Sequence, residues 1–219
     1  DRRTTCVLRV GLFSPDGEPI RDSSIELEIF PAPEPVSTTC AAIGEKASRL
    51  AAELQLPTAA AAAQTVLVDG ADHRKNEKRL LRAAEKGARV VILELPNGSH
   101  TVAGDAVTVT TCGMGPVHFV SRATGHPLVR GFRPDDFRFW FDPAEDRVAP
   151  LLDSTLDAPG WKPILLSVNG NWSSGWTSVP AAAEKPLGKG SVTVCQIKLA
   201  GRIVNPAARI FASRLVRGK

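Results

Sequence analysis

Cys112 has the neighbours that a nucleophilic thiol would need. It lies in the segment 111-TCGMG-115, and His118 and His126 follow further along the chain. A cysteine becomes an effective nucleophile when a base takes its proton, and such residues often lie on a sharp turn of the form GxCxG or GxSxG. The chain has neither turn. Because Cys112 ends a strand-like apolar run, the pattern favours a core cysteine and structural histidines over a Cys112-dependent hydrolase, which remains an alternative.

Carboxylates are the second type of candidate catalytic group, because glycosidases use two carboxylates that face each other across the substrate. The candidate carboxylates are Glu94, Asp136, Asp142 and Asp146. Their spacing in the sequence does not single out two that would face each other. Asp135, Asp136 and Arg138 share the segment 134-PDDFRFWFD-142, where a salt-bridged loop anchor is favoured over a catalytic role. The cysteines form no CxxC pair, and no GxGxxG or phosphate loop occurs. We therefore expect no catalytic residue, no metal and no cofactor.

Two tryptophans lie in a loop of glycine, serine and asparagine, 169-NGNWSSGWTS-178. We expect Trp172 and Trp176 to be exposed, and an exposed indole offers a flat apolar face to a sugar ring or to a partner protein. The alternative is that both pack within their own loop. If they are stacking platforms, the chain is a carbohydrate-binding module whose hydrogen-bonding partners are Asn169, Asn171, Gln196 and Asn205.

The composition limits the classes of partner. The chain has 219 residues, 43% of them apolar and 23% charged, which is typical of a folded globular protein. Its net charge is +4, and the one local concentration of basic residues is 73-HRKNEKRLLRAAEKGAR-89. Because Glu77 and Glu85 interrupt that run, a solvated helix face is favoured over a phosphate-binding surface. The chain has no nucleic-acid motif and no apolar run long enough to cross a bilayer, so we expect neither nucleic acid nor a membrane as partner.

Two further features indicate the setting of the chain. It begins with Asp1 rather than Met, as expected of a processed chain or an excised piece. Its cysteines lie far apart, at Cys6, Cys40, Cys112 and Cys195. Two disulfides are the alternative, but we expect all four cysteines to be reduced thiols, which favours a cytoplasmic location.

Residues 1–35 differ in pattern from the rest of the chain. In 24-SIELEIF-30 apolar and acidic residues alternate, which is the period of a half-buried strand. A strand is also predicted at 5–13, and the turn residues of 14-SPDGEPIRDS-23 predict that the two strands pair antiparallel. Such a pair is marginal alone in water, so it must pack on the following domain or belong to a larger β-sandwich. The prolines of 31-PAPEPV-36 form a stiff connector.

The second predicted domain, 36–219, alternates strands and helices. The predicted strands are 38–40, 65–69, 89–95, 106–112, 161–168 and 191–199. The predicted helices are 47–54, 72–87 and a C-terminal helix that has Asn205 as its cap. This alternation predicts an α/β fold, namely a flavodoxin-like three-layer sandwich with a mainly parallel sheet that binds ligands beyond the carboxyl ends of its strands. A hairpin around Asn97 and Gly98 and a long loop at 113–142 interrupt the pattern, and we expect that loop to make functional contacts.

Four segments carry a resemblance to a known family. They are 89-RVVILELPNG-98, 113-GMGPVHFVSRATGHPLVRGF-132, 134-PDDFRFWFD-142 and 188-GKGSVTVCQIKLAGRIVNPAARIFASRL-215. From about Ser37 to its end, the chain resembles the class I glutamine-amidotransferase-like domains at the C-terminal end of certain family 2 glycoside hydrolases, the β-galactosidase and β-glucuronidase relatives. The resemblance implies a class I amidotransferase-like fold, preceded by the tail of an immunoglobulin-like sandwich.

The chain departs from true class I amidotransferases at the positions that would do their chemistry. Leu95, Pro96 and Asn97 occupy the region of the cysteine elbow, and no histidine follows His126. The resemblance therefore implies a non-catalytic accessory domain for docking or oligomerisation, whose partners are the remaining domains of the parent enzyme or another subunit. The candidate docking or ligand residues are His118, Arg122, His126, Asp136, Arg138, Trp140, Asn169, Asn171, Trp172, Trp176, Gln196, Arg202 and Asn205.

Overall fold

A computed structural model describes residues 3–59, 62–112, 120–171 and 175–218. The chain divides into two compact units, Asp1–Glu34 and Pro35–Lys219. Among the described residues, no helix has both the length and the apolar character needed to span a bilayer.

The first unit is a two-stranded antiparallel ribbon. It consists of β1 (Thr4–Phe13) and β2 (Pro19–Ile29). Leu8 lies opposite Ile25, and this register continues until it shifts next to the turn. The turn is closed by a hydrogen bond from Ser14 N–H to the Glu18 carbonyl (2.8 Å). The predicted antiparallel pairing is confirmed, because the alternating strand and the turn residues are both local signals.

Six strands form the central sheet of the second unit. In spatial order they are β11 (Lys162–Asn171), β12 (Gly175–Leu187), β13 (Gly190–Cys195), β5 (Arg89–Leu93), β4 (Thr65–Asp69) and β3 (Cys40–Ile43). The pairs from β3 to β13 are parallel, whereas β11, β12 and β13 pair antiparallel. The sheet is therefore mixed, and the buried strands β4 and β5 lie in its parallel part.

Three α-helices cover this sheet in the part of the chain that the structure describes. They are α1 (Glu45–Glu53), α2 (Gly70–Glu85) and α3 (Pro206–Arg217). The predicted α3 start is confirmed, because Pro206 occupies the first turn after Asn205. The predicted cap of α2 is wrong by one turn: Asp69 is the N-cap and Asp72 lies inside the helix.

The prediction of a flavodoxin-like three-layer sandwich with a mainly parallel sheet is wrong. Strands make up 42% of the structure, and most of the sheets are small and antiparallel. One consists of β6 (Gly98–Val102), β7 (Asp105–Thr111) and β10 (Ser154–Asp157), and another of β8 (Trp140–Asp142) and β9 (Arg147–Ala149). The error has a physical reason: parallel neighbours need a long crossover, and here short turns join neighbouring strands directly.

The β6–β7 hairpin shows how the error arose. Its turn is Ala103–Gly104, with φ angles of 50° and 81°, so both central residues are left-handed as in a type I′ turn. The predicted turn at Asn97 and Gly98 is wrong, because Gly98 instead begins β6. Alanine is uncommon at a positive φ, so the sequence carries little sign of this turn.

The two faces of the central sheet pack into separate apolar clusters. Alternate residues of β5 pack into the two clusters: Val91 and Leu93 belong to one, and Val90 and Ile92 belong to the other. The first cluster also takes Leu50 of α1 and Phe211 of α3, whereas the second takes side chains of α2 and of the β6–β7–β10 sheet. This two-sided burial explains why β5 reads as an unbroken apolar run.

Candidate functional site

Ligand binding was predicted beyond the carboxyl ends of the parallel strands, which here include β3, β4 and β5. The Asp69 carboxylate accepts hydrogen bonds from the backbone N–H groups of Ala47 (2.7 Å) and Lys46 (3.0 Å). The Lys46 ammonium pairs with the Glu94 carboxylate at 2.5 Å. A Cβ at Gly44 would overlap the Asp69 carboxylate, so only glycine fits there. The carboxylates at this edge are thus already used by the first turn of α1.

Glu94 follows β5 in a strained backbone conformation. Its φ is 50°, a region that non-glycine residues adopt at a cost of order 1–3 kcal/mol and that clusters at functional sites. Its N–H donates to the Cys195 carbonyl at 2.8 Å. A Cβ at Gly70 would overlap the backbone of Glu94 and Leu95, so the start of α2 lies directly against this bend. The strained residue lies one position before the Leu95–Asn97 segment, where the family resemblance would place a cysteine elbow.

Gln196, a predicted ligand residue, is saturated by the protein itself. Its side-chain oxygen accepts from Leu95 N–H (2.8 Å), and its amide nitrogen donates to the Leu95 carbonyl (2.9 Å) and to Ser154 Oγ (2.6 Å). Only 2% of the residue is exposed. Gln196 therefore fastens the chain after β5 to the end of β13 rather than presenting an amide to a sugar.

Arg202 and Asn205 join the β8–β9 ribbon to the start of α3. The buried Arg202 guanidinium donates to Asp142 Oδ2 at 2.7 and 3.1 Å and to the Pro150 carbonyl. Burial raises the pKa of Asp142, but the Ala144 N–H and the Arg202 guanidinium together hold it below its ordinary value. Asn205 exchanges two hydrogen bonds with the Phe141 backbone (2.8 and 2.9 Å). Both predicted site residues are engaged in these internal contacts.

His126 and Arg122 lie in the described part of the long loop. The buried His126 ring accepts a hydrogen bond from Leu128 N–H (3.3 Å), and its Nε2 lies 3.6 Å from the Glu184 carboxylate. Burial lowers the pKa of His126, and Glu184 opposes that shift. Arg122 Nε is buried and finds no hydrogen-bond acceptor among the described residues.

The segment around Asp136 forms part of the core. The Asp136 carboxylate accepts from Arg133 N–H (2.7 Å), and its carbonyl accepts from the Trp140 indole (2.8 Å). Trp140 is almost fully buried beside Phe137, whereas Arg138 is exposed and contacts Asp135 at 3.5 Å. Asp136 and Trp140 thus anchor the loop, and Arg138 alone of the three is accessible to a partner.

The tryptophan loop is only partly described. Trp176, on β12, is 39% exposed. Trp172 and His118 lie outside the described residues, as do the side chains of Asn169 and Asn171. A carbohydrate-binding role for this loop therefore stays a prediction.

The four cysteines, all in the described part of the chain, are free thiols. Cys40 and Cys195 are buried, and burial raises the pKa of Cys195 to about 12. Cys112 is partly buried, and its thiol donates to the Val168 carbonyl at 3.2 Å. Within the described residues, no group of three or more His, Cys, Asp and Glu side chains is placed to hold a metal.

The N-terminal ribbon has one apolar face that stands open to solvent. We call this surface the apolar face; it consists of Leu8, Val10, Leu12, Ile25, Leu27 and Ile29. Each of these side chains is between 42 and 59% exposed. The opposite face carries mostly polar side chains such as Arg9, Glu26 and Glu28, with Val7 among them. The alternation is visible in the sequence, whereas the exposure is not.

A second surface is formed at the amino-terminal ends of β4, β5 and β13. This surface, the basic cleft, is an open depression of about 1170 Å³ that cations line on several sides. They are Arg79, Arg82, Lys86, Arg89, Lys189 and Arg217. The sequence interpretation favoured a solvated helix face for the basic run 73–89, which supplies four of these cations, because nothing in the sequence places Lys189 and Arg217 beside that run.

No protein-family model matches the chain, and no curated protein matches it. Among solved structures it is weakly similar to a cold-adapted β-galactosidase from Rahnella sp. R3 (11% identity, TM-score 0.47), with 81% of this chain covered. The chain spans 31% of the length of that β-galactosidase. Two cytoplasmic proteins of Salmonella typhimurium are also weakly similar: each has 8% identity and a TM-score of 0.44, with 97 and 95% of this chain and 95 and 94% of theirs covered.

Proposed function

We propose that this chain is a non-catalytic accessory piece of a multidomain glycoside hydrolase, and that its N-terminal ribbon docks it on another part of the parent protein. The observation that carries the docking role is the apolar face of the ribbon. The glycoside hydrolase context rests on the sequence segments that resemble the C-terminal regions of family 2 enzymes.

The energetics of the ribbon favour a covering partner. Fully burying a large aliphatic side chain is worth about 1.5 to 3 kcal/mol, so covering the exposed half of six such side chains stabilises a complex by roughly 5 to 9 kcal/mol. A lone two-stranded ribbon is marginal in water without such cover. Association of the ribbon through this face is therefore energetically favourable.

The geometry of the face supports a second β-sheet of the parent protein as its partner. Sheets pack face to face through alternating apolar side chains, which is the pattern of Leu8, Val10 and Leu12. Charged residues such as Arg9 and Glu26 line the other face and remain in water. One side of the ribbon is thus built for packing and the other for solvent.

A pair of matched variants tests the docking role. In the full-length gene product, Leu8→Lys with Leu27→Lys puts two charges into the interface and should release the ribbon, detected as faster proteolysis within residues 4–29. In the 219-residue chain, the same change should abolish binding of a hydrophobic dye. Val7→Lys is the control, since Val7 is 58% exposed on the same strand but on the polar face. Equal behaviour of the two variants in both assays would refute the docking role.

An activity assay tests the proposal that the chain is non-catalytic. The 219-residue chain should not hydrolyse aryl galactosides or aryl glucuronides, because the acid and the nucleophile belong to another domain of the parent. Sequencing the gene upstream of the Asp1 codon should show a sandwich and a barrel with two catalytic glutamates. Hydrolysis by the isolated chain would overturn the accessory role.

A further inference from the structure

The basic cleft concentrates more positive charge than the chain as a whole carries. Its lining contains six cationic side chains and one carboxylate, that of Glu184. The net charge of the whole chain is +4. The cleft thus holds the entire positive excess, while the rest of the surface is close to neutral.

Four of these six cations have no ion-pair partner among the described residues. Glu184 is paired with Arg89 at 2.5 Å. Arg79, Arg82, Lys86 and Lys189 form no ion pair with any described residue, and all four are exposed. Like charges held together without counter-charges repel one another, which destabilises the folded chain until an anion arrives.

Helix dipoles account for only part of this charge. The C-terminal ends of α2 and α3 both border the cleft, through Lys86 and Arg217. Each end is equivalent to about half a negative charge, so the two together offset roughly one positive charge. Against the four unpaired cations Arg79, Arg82, Lys86 and Lys189, this leaves about three positive charges to be balanced from solution.

The backbone holds two of the cations close together. A Cβ at Gly188 would overlap the backbone of Glu85, and one at Gly190 would overlap the Ala88 carbonyl. The turn between β12 and β13 therefore packs directly on the end of α2. Lys189 N–H donates to the Glu85 carbonyl at 3.2 Å within this junction. Lys86 and Lys189 therefore belong to the two chain segments that meet in this contact.

We infer that the basic cleft is a binding site for a small oligoanion that carries several phosphate or carboxylate groups. Its volume of about 1170 Å³ exceeds the usual range for small-molecule sites, ~300–1,000 Å³, and leaves room for a ligand with more than one charged group. One arginine guanidinium donates two parallel hydrogen bonds to two oxygens of a phosphate or carboxylate group. All residues that line the cleft belong to the second unit, so this inference does not depend on the docking role proposed for the ribbon.

Calorimetry on the 219-residue chain with tripolyphosphate and with citrate tests the inference. At about 50 mM salt, where screening is modest, one anion should bind per chain. Binding of tripolyphosphate alone assigns a phosphate ligand, and binding of citrate as well extends the site to carboxylates. If neither anion binds, the inference is wrong.

Adjacent residues of α2 provide a matched control. Arg79 lines the cleft and Lys78 does not, and both are exposed. Arg79→Glu and, on the facing turn, Lys189→Glu should each weaken binding about tenfold or more, because each removes a cation that lines the cleft and puts a carboxylate in its place beside a polyvalent anion. Lys78→Glu should weaken it much less, because the Lys78 side chain does not line the cleft and acts on the anion only through solvent. An equal loss in all three variants would show a general charge effect and overturn the site.

A neutral variant guards against misfolding. Arg82→Gln with Lys86→Gln removes two cleft charges without adding acidic groups to the last turn of α2, and urea unfolding should show a stability close to that of the parent chain. Its affinity should fall between those of the parent and Arg79→Glu. Undiminished binding in this folded variant would contradict the inference.

Discussion

Replacing Gln196 by leucine should destabilise the second unit far more than its single side chain suggests. Leucine has a similar volume but no amide. The Leu95 N–H and the Leu95 carbonyl each lose the partner that the Gln196 amide supplies, at 2.8 and 2.9 Å. Leu95 is itself buried, so water does not replace that partner without opening the core.

The magnitude follows from the two orphaned backbone groups. Leaving a buried donor or acceptor unpaired costs about 1 to 3 kcal/mol, so Gln196→Leu should lower the free energy of unfolding by about 2 to 6 kcal/mol. A typical domain has a total stability of roughly 5 to 15 kcal/mol. The change should therefore be visible as a large drop in the urea midpoint.

Gln64→Leu is the matched control. The Gln64 side-chain oxygen also accepts a backbone N–H, that of Thr39 at 3.1 Å, but this bond is exposed. Water replaces it, so the expected loss is below about 1 kcal/mol. Urea unfolding followed by tryptophan fluorescence compares the two variants. A loss for Gln196→Leu as small as that for Gln64→Leu would refute the argument that burial makes these hydrogen bonds indispensable.

Three further measurements test other parts of the structure. Gly190→Ala should cost about 1 to 3 kcal/mol or more in urea unfolding, because its Cβ overlaps a backbone carbonyl, whereas Gly11→Ala meets only the movable Phe13 ring and should cost less. At pH 8 a thiol reagent should label Cys112 in the native protein, while Cys195, whose pKa burial raises to about 12, should react only on unfolding; equal native rates would contradict its burial. Burial lowers the pKa of His73 below its ordinary value of 6.5, so the unfolded chain takes up the proton first and stability should fall as the pH drops below about 6.5. His73→Gln should flatten that slope, and an unchanged slope would contradict the assignment.

Local patterns in the sequence were sufficient to predict several elements. The alternation in 24–30 and the apolar run in 89–95 both became strands, at Pro19–Ile29 and Arg89–Leu93. The proline after Asn205 marked the start of α3. These features depend on neighbours within one or two turns of chain, which is why a single sequence contains them.

The pairing direction of the strands was not predictable in the same way. An apolar run suits either a parallel or an antiparallel neighbour, and the direction is decided by the length of the connection. The turn at Ala103–Gly104 has no standard turn signature in the sequence, and it makes β6 and β7 antiparallel. The flavodoxin-like prediction failed for this reason.

The sequence by itself determined the periodicity of the ribbon and of the main helices, the ends set by proline and glycine, and the presence of residues able to bind ligands. Only the tertiary structure decided which of those residues are free to do so. Gln196 and Arg202 have the right chemistry but are enclosed by their own hydrogen bonds. Arg79 and Lys189 are more than a hundred positions apart in the chain yet line one cleft. Burial and Coulomb repulsion depend on distances in space, and those distances are set when the sheet and its helices pack together.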